Sequence, residues 1–475
     1  MAASGNAIWQ CGRSWEKENL YFLLIDRFHD GAARKPVQKA SGYVHQDKVK
    51  LGGNLRGIKQ QLPFLHALGI TAIWISPPFH NTENAYHGYA IKDFLNVDPS
   101  FGSNEELKLL IEAAHEMGIR VIIDIVLNHT GDVFDYVDLP TQKIAWREMN
   151  YPLPIELRNE NLYSRRGAIS NWEDPEERIT GDIFELKDLA WHDPNAEPQL
   201  SALFLAIYTY WMDYTDCDGF RIDTVKHLPP EAYADFCRGI RAHAEAKGKD
   251  FLLIAECLGD ETLIASYPGG QAFLDFPSYF LLPNVLRGIS SIEQIEKRFQ
   301  SSFLQHQMPV TFLDNHDQVG QLIKGRFSSG LDESSRLAYL MILSFLPGMP
   351  CFYYGTEFGL SGQGFRDEHI RECLFNPNSE EDLFDLDNRT VQEFASLLHF
   401  RNEMEFTNST LTTAQTPITP DLLWFRRETT IGPIICAWNR SRKKSVFLES
   451  EKQFVFPIHK KSSEISPGAC VYFYL

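Results

Sequence analysis

Eight short runs rich in β-branched and aromatic residues, separated by longer stretches with apolar residues at helical spacing, limit the possible folds more than any other feature. They are Tyr21–Arg27, Thr71–Ser76, Val121–Leu127, Gly219–Asp223, Phe251–Glu256, Phe273–Pro277, Val310–Asp314 and Cys351–Tyr354. Strands alternating with helix-length segments are the pattern of a parallel sheet with crossover helices, and eight in succession suggest a closed (β/α)₈ TIM barrel. Helices are expected near 55–68, 104–118, 198–215, 230–247, 290–302, 333–346 and 391–404. The spacing breaks once: about 90 residues separate the third run from the fourth, more than one helix and two loops need. The excess predicts an inserted domain over 130–197, with the barrel built from 1–129 and 198–408. Beyond Asn402, alternating segments such as Leu422–Arg426, Ile434–Trp438, Ser445–Leu448 and Val471–Leu475 predict a small antiparallel β domain over 409–475.

A chain of 475 residues, 44% hydrophobic and 23% charged, has enough apolar material for a large core. Its 63 acidic against 45 basic residues give a formal charge of −18. That balance argues against nucleic acid, whose binding rests on neutralising phosphates, and a neutral ligand fits better. The eight cysteines show neither paired short spacing nor a zinc pattern, so scattered thiols are expected, with one bridge left open. Met1–Asn19 has no apolar core of the kind a secretory leader needs, which is compatible with a cytoplasmic chain or with a secreted one whose leader is gone. The longest apolar stretch, Leu337–Leu346, is stopped by Pro347-Gly348-Met349-Pro350. It is shorter than the roughly 18 residues of a membrane span, so it is read as a buried helix and no membrane partner is expected. The oligomeric state has no signal in the sequence.

In a parallel barrel the C-terminal strand ends converge on one mouth, so polar residues just past apolar strand cores are the ones to examine. Four segments qualify: Asp124–His129, Gly219–His227, Leu252–Glu256 and Phe312–Asp317. Arg221 and Asp223 are two apart on a strand and share a face, where a permanent cation would hold the carboxylate ionised for attack on an anomeric carbon. Glu256 follows the apolar run Phe251–Ala255, a setting that raises a carboxyl pKa as a general acid requires. His316 and Asp317 are neighbours, so both serve one pocket only if the strand has opened into loop there. Cleavage of a glycosidic bond with retention needs a nucleophilic and a protonating carboxyl about 5–5.5 Å apart, and successive strands four and five can supply that pair. Each segment alone reads equally well as a strand end with a capping carboxylate or a satisfied histidine; the four in this order do not.

These four segments resemble the four signature regions of the α-amylase family of glycoside hydrolases, family thirteen. Further likeness lies in Tyr21–Gly31, Gly52–Gly57, Ala72–Pro78, Tyr86–Tyr89 and Tyr353–Glu357, so it covers the chain from about 15 to 405. The resemblance implies a (β/α)₈ barrel with a B domain inserted after strand three and a C-terminal β-sandwich domain. It implies Asp223 as nucleophile, Glu256 as acid/base and Asp317 as the third carboxylate, with Arg221 orienting Asp223. By the same match His129 and His316 bond sugar hydroxyls, and Tyr89 stacks on the sugar, although Tyr89 also reads as a rim aromatic. Lys226 and His227 resemble the α-amylase and cyclodextrin glucanotransferase branches, which favours α-1,4-glucans such as starch or maltodextrins as partner. Asn128, Asp188 and the carbonyl of His227 resemble the family's structural Ca²⁺ site, whose hard oxygens suit that ion. Against this, Asn128 also reads as a brace for the strand end, and Lys187-Asp188-Leu189-Ala190 departs from the usual Pro-Asp-Leu-Asn form. The loop after Asp30-Gly31 lacks the Asn-rich form of a second calcium site, and Cys257 is an unusual neighbour for the acid.

Three functions follow from this resemblance. The leading one is a retaining α-amylase-type hydrolase; a transglycosylase shares its chemistry until the acceptor is a sugar hydroxyl; a non-catalytic binding protein is disfavoured because all three carboxylates are present. The inserted segment also contains Tyr136, Trp146, Tyr151, Tyr163, Trp172 and Trp191, most of which are expected to fill its own thin core.

Overall fold

The computed structural model describes residues 8–37, 49–83, 85–318, 325–407, 411–413, 422–441 and, beyond these, 443, 446–447, 454–456, 464–466, 468 and 470–474. Eight parallel strands close into a barrel in chain order: β1 (Leu20–Leu23), β2 (Ala72–Ile75), β3 (Arg120–Ile125), β4 (Gly219–Ile222), β5 (Leu252–Ala255), β6 (Ala272–Leu274), β7 (Met308–Phe312) and β8 (Met349–Tyr353). Their residues are buried almost without exception, because a barrel strand has the barrel interior on one face and helices on the other. The helices Leu55–Ala67, Asn104–Glu116, Glu197–Thr215, Pro230–Lys247, Glu333–Phe345 and Arg389–Asn402 agree with the expected positions. Their starts are set locally: Asn54, Ser103 and Asp332 each accept a hydrogen bond from a first-turn backbone N–H.

Three expectations need correction. The run Tyr21–Arg27 is strand only through Leu23, and Ile25–Phe28 forms a helical turn. The run Phe273–Pro277 is strand only through Leu274, because Asp275 caps a helix that starts at Phe276 by accepting from Ser278 N. The helix expected at 290–302 is shorter, Glu293–Phe299, and a further helix, Phe276–Leu286, precedes it; Gly288 between them has φ +74, on the left-handed side.

Between β3 and β4 the chain forms a small insert with a hairpin of Phe134–Asp138 and Lys143–Trp146. Its core is aromatic: Phe134 meets Tyr136, Trp146 and Tyr163 edge to face, and Trp191 donates to the carbonyl of Leu127. Tyr151 and Trp172 instead are exposed. A two-residue ladder pairs Lys187–Asp188 with His129–Thr130 and ties the insert to the end of β3.

After the barrel comes an antiparallel sheet ordered Thr412–Thr413, Leu422–Thr429, Gly432–Asn439, Cys470–Tyr474 and Phe454–Phe456, with a second ladder of Val446–Phe447 and Glu464–Ile465. Arg427 fastens it to the barrel by donating to the carbonyl of Phe345 at 2.9 Å. The predicted segments Ser445–Leu448 and Val471–Leu475 lie partly outside the described residues. All eight cysteines are free thiols. Among the described residues no helix is long and apolar enough to cross a membrane.

Candidate active site

The ladder that closes the barrel also places the carboxylates. Asp223 follows β4 with its N–H on the carbonyl of Ile125, and Glu256 follows β5 with its N–H on the carbonyl of Ile222. Each acid therefore stands one residue past the end of its strand, held by a continuing hydrogen bond. Arg221 on β4 is wholly buried and pairs in register with Asp124 on β3. Its Nη1 donates to Asp124 at 2.9 and 3.1 Å and to Asp223 Oδ1 at 2.5 Å, while its Nη2 lies 3.7 Å from Glu256 Oε2. The two acids expected from strands four and five thus converge on one guanidinium.

Thr224 has φ +50, a left-handed conformation uncommon for a β-branched residue, and its N–H donates to Glu256 Oε2 at 2.6 Å. Glu256 is pushed up to about 8, first by burial and then by the charges of Asp223 and Asp317, with Arg221 opposing. It therefore carries a proton at neutral pH. Asp124 is also raised by burial, and Arg221 opposes that rise.

Asp317 stands past the end of β7, where the chain has left the strand, so it and His316 face the same pocket, with His316 Nε2 3.3 Å from Asp317 Oδ2. Arg371 donates to Asp317 Oδ1 at 2.7 Å, to the carbonyl of His316 at 2.9 Å and to Tyr86 Oη at 3.0 Å. The Asp317 side chain is 37% exposed against 8% for Asp223 and 13% for Glu256, so it is the most solvent-accessible of the three acids.

Tyr89 is buried; its hydroxyl donates to Asp124 at 2.8 Å, and its ring lies parallel to that of His316 with centroids 5.2 Å apart. His129 Nε2 lies 3.2 Å from the carbonyl of Tyr89, where it donates. Burial lowers the pKa of His129 and His316, and takes His87 and His227 down to about 3, so all four are neutral hydrogen-bonding groups. Lys226 is half-buried, and burial lowers its pKa, with Glu256 opposing when ionised. His227 Nδ1 lies 2.8 Å from the carbonyl of Arg178 in the insert.

The expected calcium ligands Asn128 and Asp188 are both buried: Asp188 is in the ladder between insert and β3, paired with His129, and Asn128 directly precedes that ladder. Asn128 Oδ1 and Asp188 Oδ1 accept no hydrogen bond; Asp188 Oδ2 accepts from Ser164 Oγ. Burial pushes Asp188 well above the usual carboxylate range. Two buried hard oxygens without a hydrogen-bond donor fit a cation such as Ca²⁺. Among the described residues no group of three or more His, Cys, Asp or Glu side chains converges as a metal centre.

Sequence reasoning passed over Asp124, Trp74 and Arg371 as site residues. Trp74 Nε1 donates to Asp124 at 3.0 Å, and Arg371 comes from an irregular segment after β8 with no periodic signal. Asp124 was the one within reach, since it opens the first of the four segments.

Similarity to known proteins agrees with this geometry. A family profile described as alpha amylase, catalytic domain, matches residues 22–396. An alpha-amylase of Streptomyces lividans is 29% identical over 443 residues, covering 78% of this chain, which spans 47% of that enzyme's length. A cyclomaltodextrin glucanotransferase of Klebsiella oxytoca is 25% identical over 484 residues, covering 91% of this chain and 72% of its own. The crystal structure of an Anoxybacillus alpha-amylase superposes with a TM-score of 0.74 at 26% identity, covering 97% of this chain and 98% of its own. With the barrel, the converging carboxylates and a profile match across most of its length, the chain belongs to the α-amylase family of glycoside hydrolases.

Proposed function

We propose that the protein is a retaining glycoside hydrolase acting on α-1,4-linked glucans such as starch or maltodextrins. The observation that carries this reading is the shared guanidinium: Arg221 touches Asp223 with one nitrogen and faces Glu256 with the other. Asp223 Oδ1 is engaged there, which leaves Oδ2 to attack the anomeric carbon, while protonated Glu256 delivers its proton to the bridging oxygen. The glycosidic C–O bond breaks as the Asp223–C1 bond forms. Glu256, now a carboxylate, takes a proton from water, whose oxygen displaces Asp223 and restores the α configuration. Asp317, beside His316, serves sugar hydroxyls and the positive charge developing on the ring. Asn128 and Asp188 would hold Ca²⁺, whose charge would offset the burial of Asp188 and tie the insert to β3. The test is a time course on maltooligosaccharides with the product anomer read by NMR: α-maltose and other short α-products first support the reading, and initial β-products overturn it.

One observation favours a second reading, glucan transfer. Beside His227, four residues after Asp223, Trp172 packs edge-on to that histidine, 6.0 Å between centroids, and meets Phe184 at 5.6 Å. Phe184 is 70% exposed and has φ +56, so a bulky apolar residue is kept in a strained backbone and in water. Such a surface suits a sugar acceptor better than a water molecule. Products longer than maltotriose from maltotriose alone would identify transfer; only shorter ones would identify hydrolysis.

A further inference from the structure

The residue that departs from the family's usual form beside Asp188 is a buried cation. Lys187 is 8% exposed, with its Nζ 3.4 Å from Asp182 Oδ2 and 3.5 Å from Asp132 Oδ1. The same nitrogen lies 5.3 Å from the ring centroid of Phe134 and 5.0 Å from that of Tyr136, so it also faces two aromatic rings. Lys187 and Asp188 are successive residues of one strand and point to opposite sides. Asp188 faces Asn128 and the barrel, and Lys187 faces the core of the insert.

Asp182 links the two sides. Its Oδ1 accepts from Asp188 N at 3.0 Å, and its Oδ2 accepts from Tyr136 Oη at 2.7 Å as well as from Lys187. Asp182 and Asp188 thus place two buried carboxyl groups on either side of one backbone N–H, at the ladder that joins the insert to β3. Without a positive charge nearby, this arrangement sets like charges against each other in a dry environment. Lys187 supplies that charge from within the chain.

We propose that Lys187 is a built-in counter-cation for Asp182 that keeps the junction between insert and barrel formed without a divalent ion, which makes calcium at Asn128 and Asp188 an added stabiliser instead of a requirement. The second half of this inference rests on the calcium reading above; the first half does not. Removing the cation reverses the situation: Asp182 becomes an uncompensated buried charge, and the junction gains a net negative charge that attracts a divalent ion.

The experiment compares the full chain with Lys187→Met and with the double variant Lys187→Met, Asp182→Asn. Thermal unfolding is followed in excess EDTA and in excess CaCl₂, with calcium titrated by calorimetry. The wild type is expected to unfold within a few degrees of the same midpoint in both solutions. Lys187→Met is expected to unfold at a clearly lower temperature in EDTA, to recover most of the loss in calcium, and to bind calcium about tenfold more tightly. The double variant, which has neither charge, is expected to regain resistance to EDTA, and it decides the matter if Lys187→Met is too unstable to study in EDTA. A large fall of the wild-type midpoint on chelation would overturn the proposal, as would a Lys187→Met protein that matches the wild type in EDTA or a double variant as chelator-sensitive as the single one. Absence of calcium binding in every variant would overturn the calcium half alone, because the comparison in EDTA needs no metal.

Discussion

Asp124 and Arg221 stand opposite each other on neighbouring barrel strands, with Arg221 Nη1 2.9 Å from Asp124 Oδ1 and 3.1 Å from Oδ2. Asp124 also accepts from Trp74 and Tyr89, so this carboxylate fixes the guanidinium that in turn faces Asp223 and Glu256. Asp124→Ala leaves a wholly buried arginine short of its strongest counter-charge. We expect a loss of about 3–5 kcal/mol in stability by denaturant unfolding, with a smaller loss for Asp124→Asn. An unchanged midpoint for Asp124→Ala would show that this pair does not organise the site.

Substitution of the two proposed catalytic acids removes chemistry without removing packing. Asp223→Asn and Glu256→Gln keep shape and volume, and each is expected to lower kcat on maltooligosaccharides by at least about 10²–10⁴-fold while circular dichroism stays unchanged. Wild-type turnover in either variant would refute the assignment.

The pH dependence has a defined sign. Glu256 is held up to about 8 by burial and by the charges of Asp223 and Asp317, so its proton is present at neutral pH and is lost as pH rises through that value. Activity should therefore fall on the alkaline side. Asp317→Asn removes one of the raising charges, and the alkaline limb of kcat/KM in that variant should move to lower pH. A limb that stays in place or moves up would contradict this origin of the shift.

Phe184→Gly separates strain from binding. Glycine adopts φ +56 freely, and a ring that is 70% exposed contributes little burial, so the variant should be more stable by about 1 kcal/mol. If the ring seats an acceptor sugar, the same variant should give fewer products longer than maltotriose for each hydrolysis event. A fall in stability, or an unchanged product ratio, would count against the acceptor role.

Much of the fold was legible because local patterns repeated eight times. The run Val121–Leu127 predicted a buried strand, and Arg120–Ile125 is one. The alternation of short strands with helices leaves few other arrangements, which is why the barrel could be read from periodicity. The run Phe273–Pro277 misled because its apolar residues continue past the strand, and only the Asp275 cap, a local polar contact, shows where helix begins. In the site, Asp223 and Glu256 could be found because each follows a strand core directly, and Asp317 because it closes the polar segment just beyond one. Arg371 could not, because its segment has no periodicity and its partners Asp317 and Tyr86 are far away in the chain.

The order of residues alone determined that Asp223 and Glu256 end successive strands, because strand ends are marked locally by where an apolar run stops; Asp317 lies beyond its strand, and its place in the mouth was decided by the loop. Only the closed barrel decided that Asp223 and Glu256 meet at one guanidinium, that Glu256 keeps its proton, and that Lys187 is enclosed between carboxylates and aromatic rings. Those are consequences of burial and of charges brought together across long stretches of chain, and no local pattern encodes the distance between them.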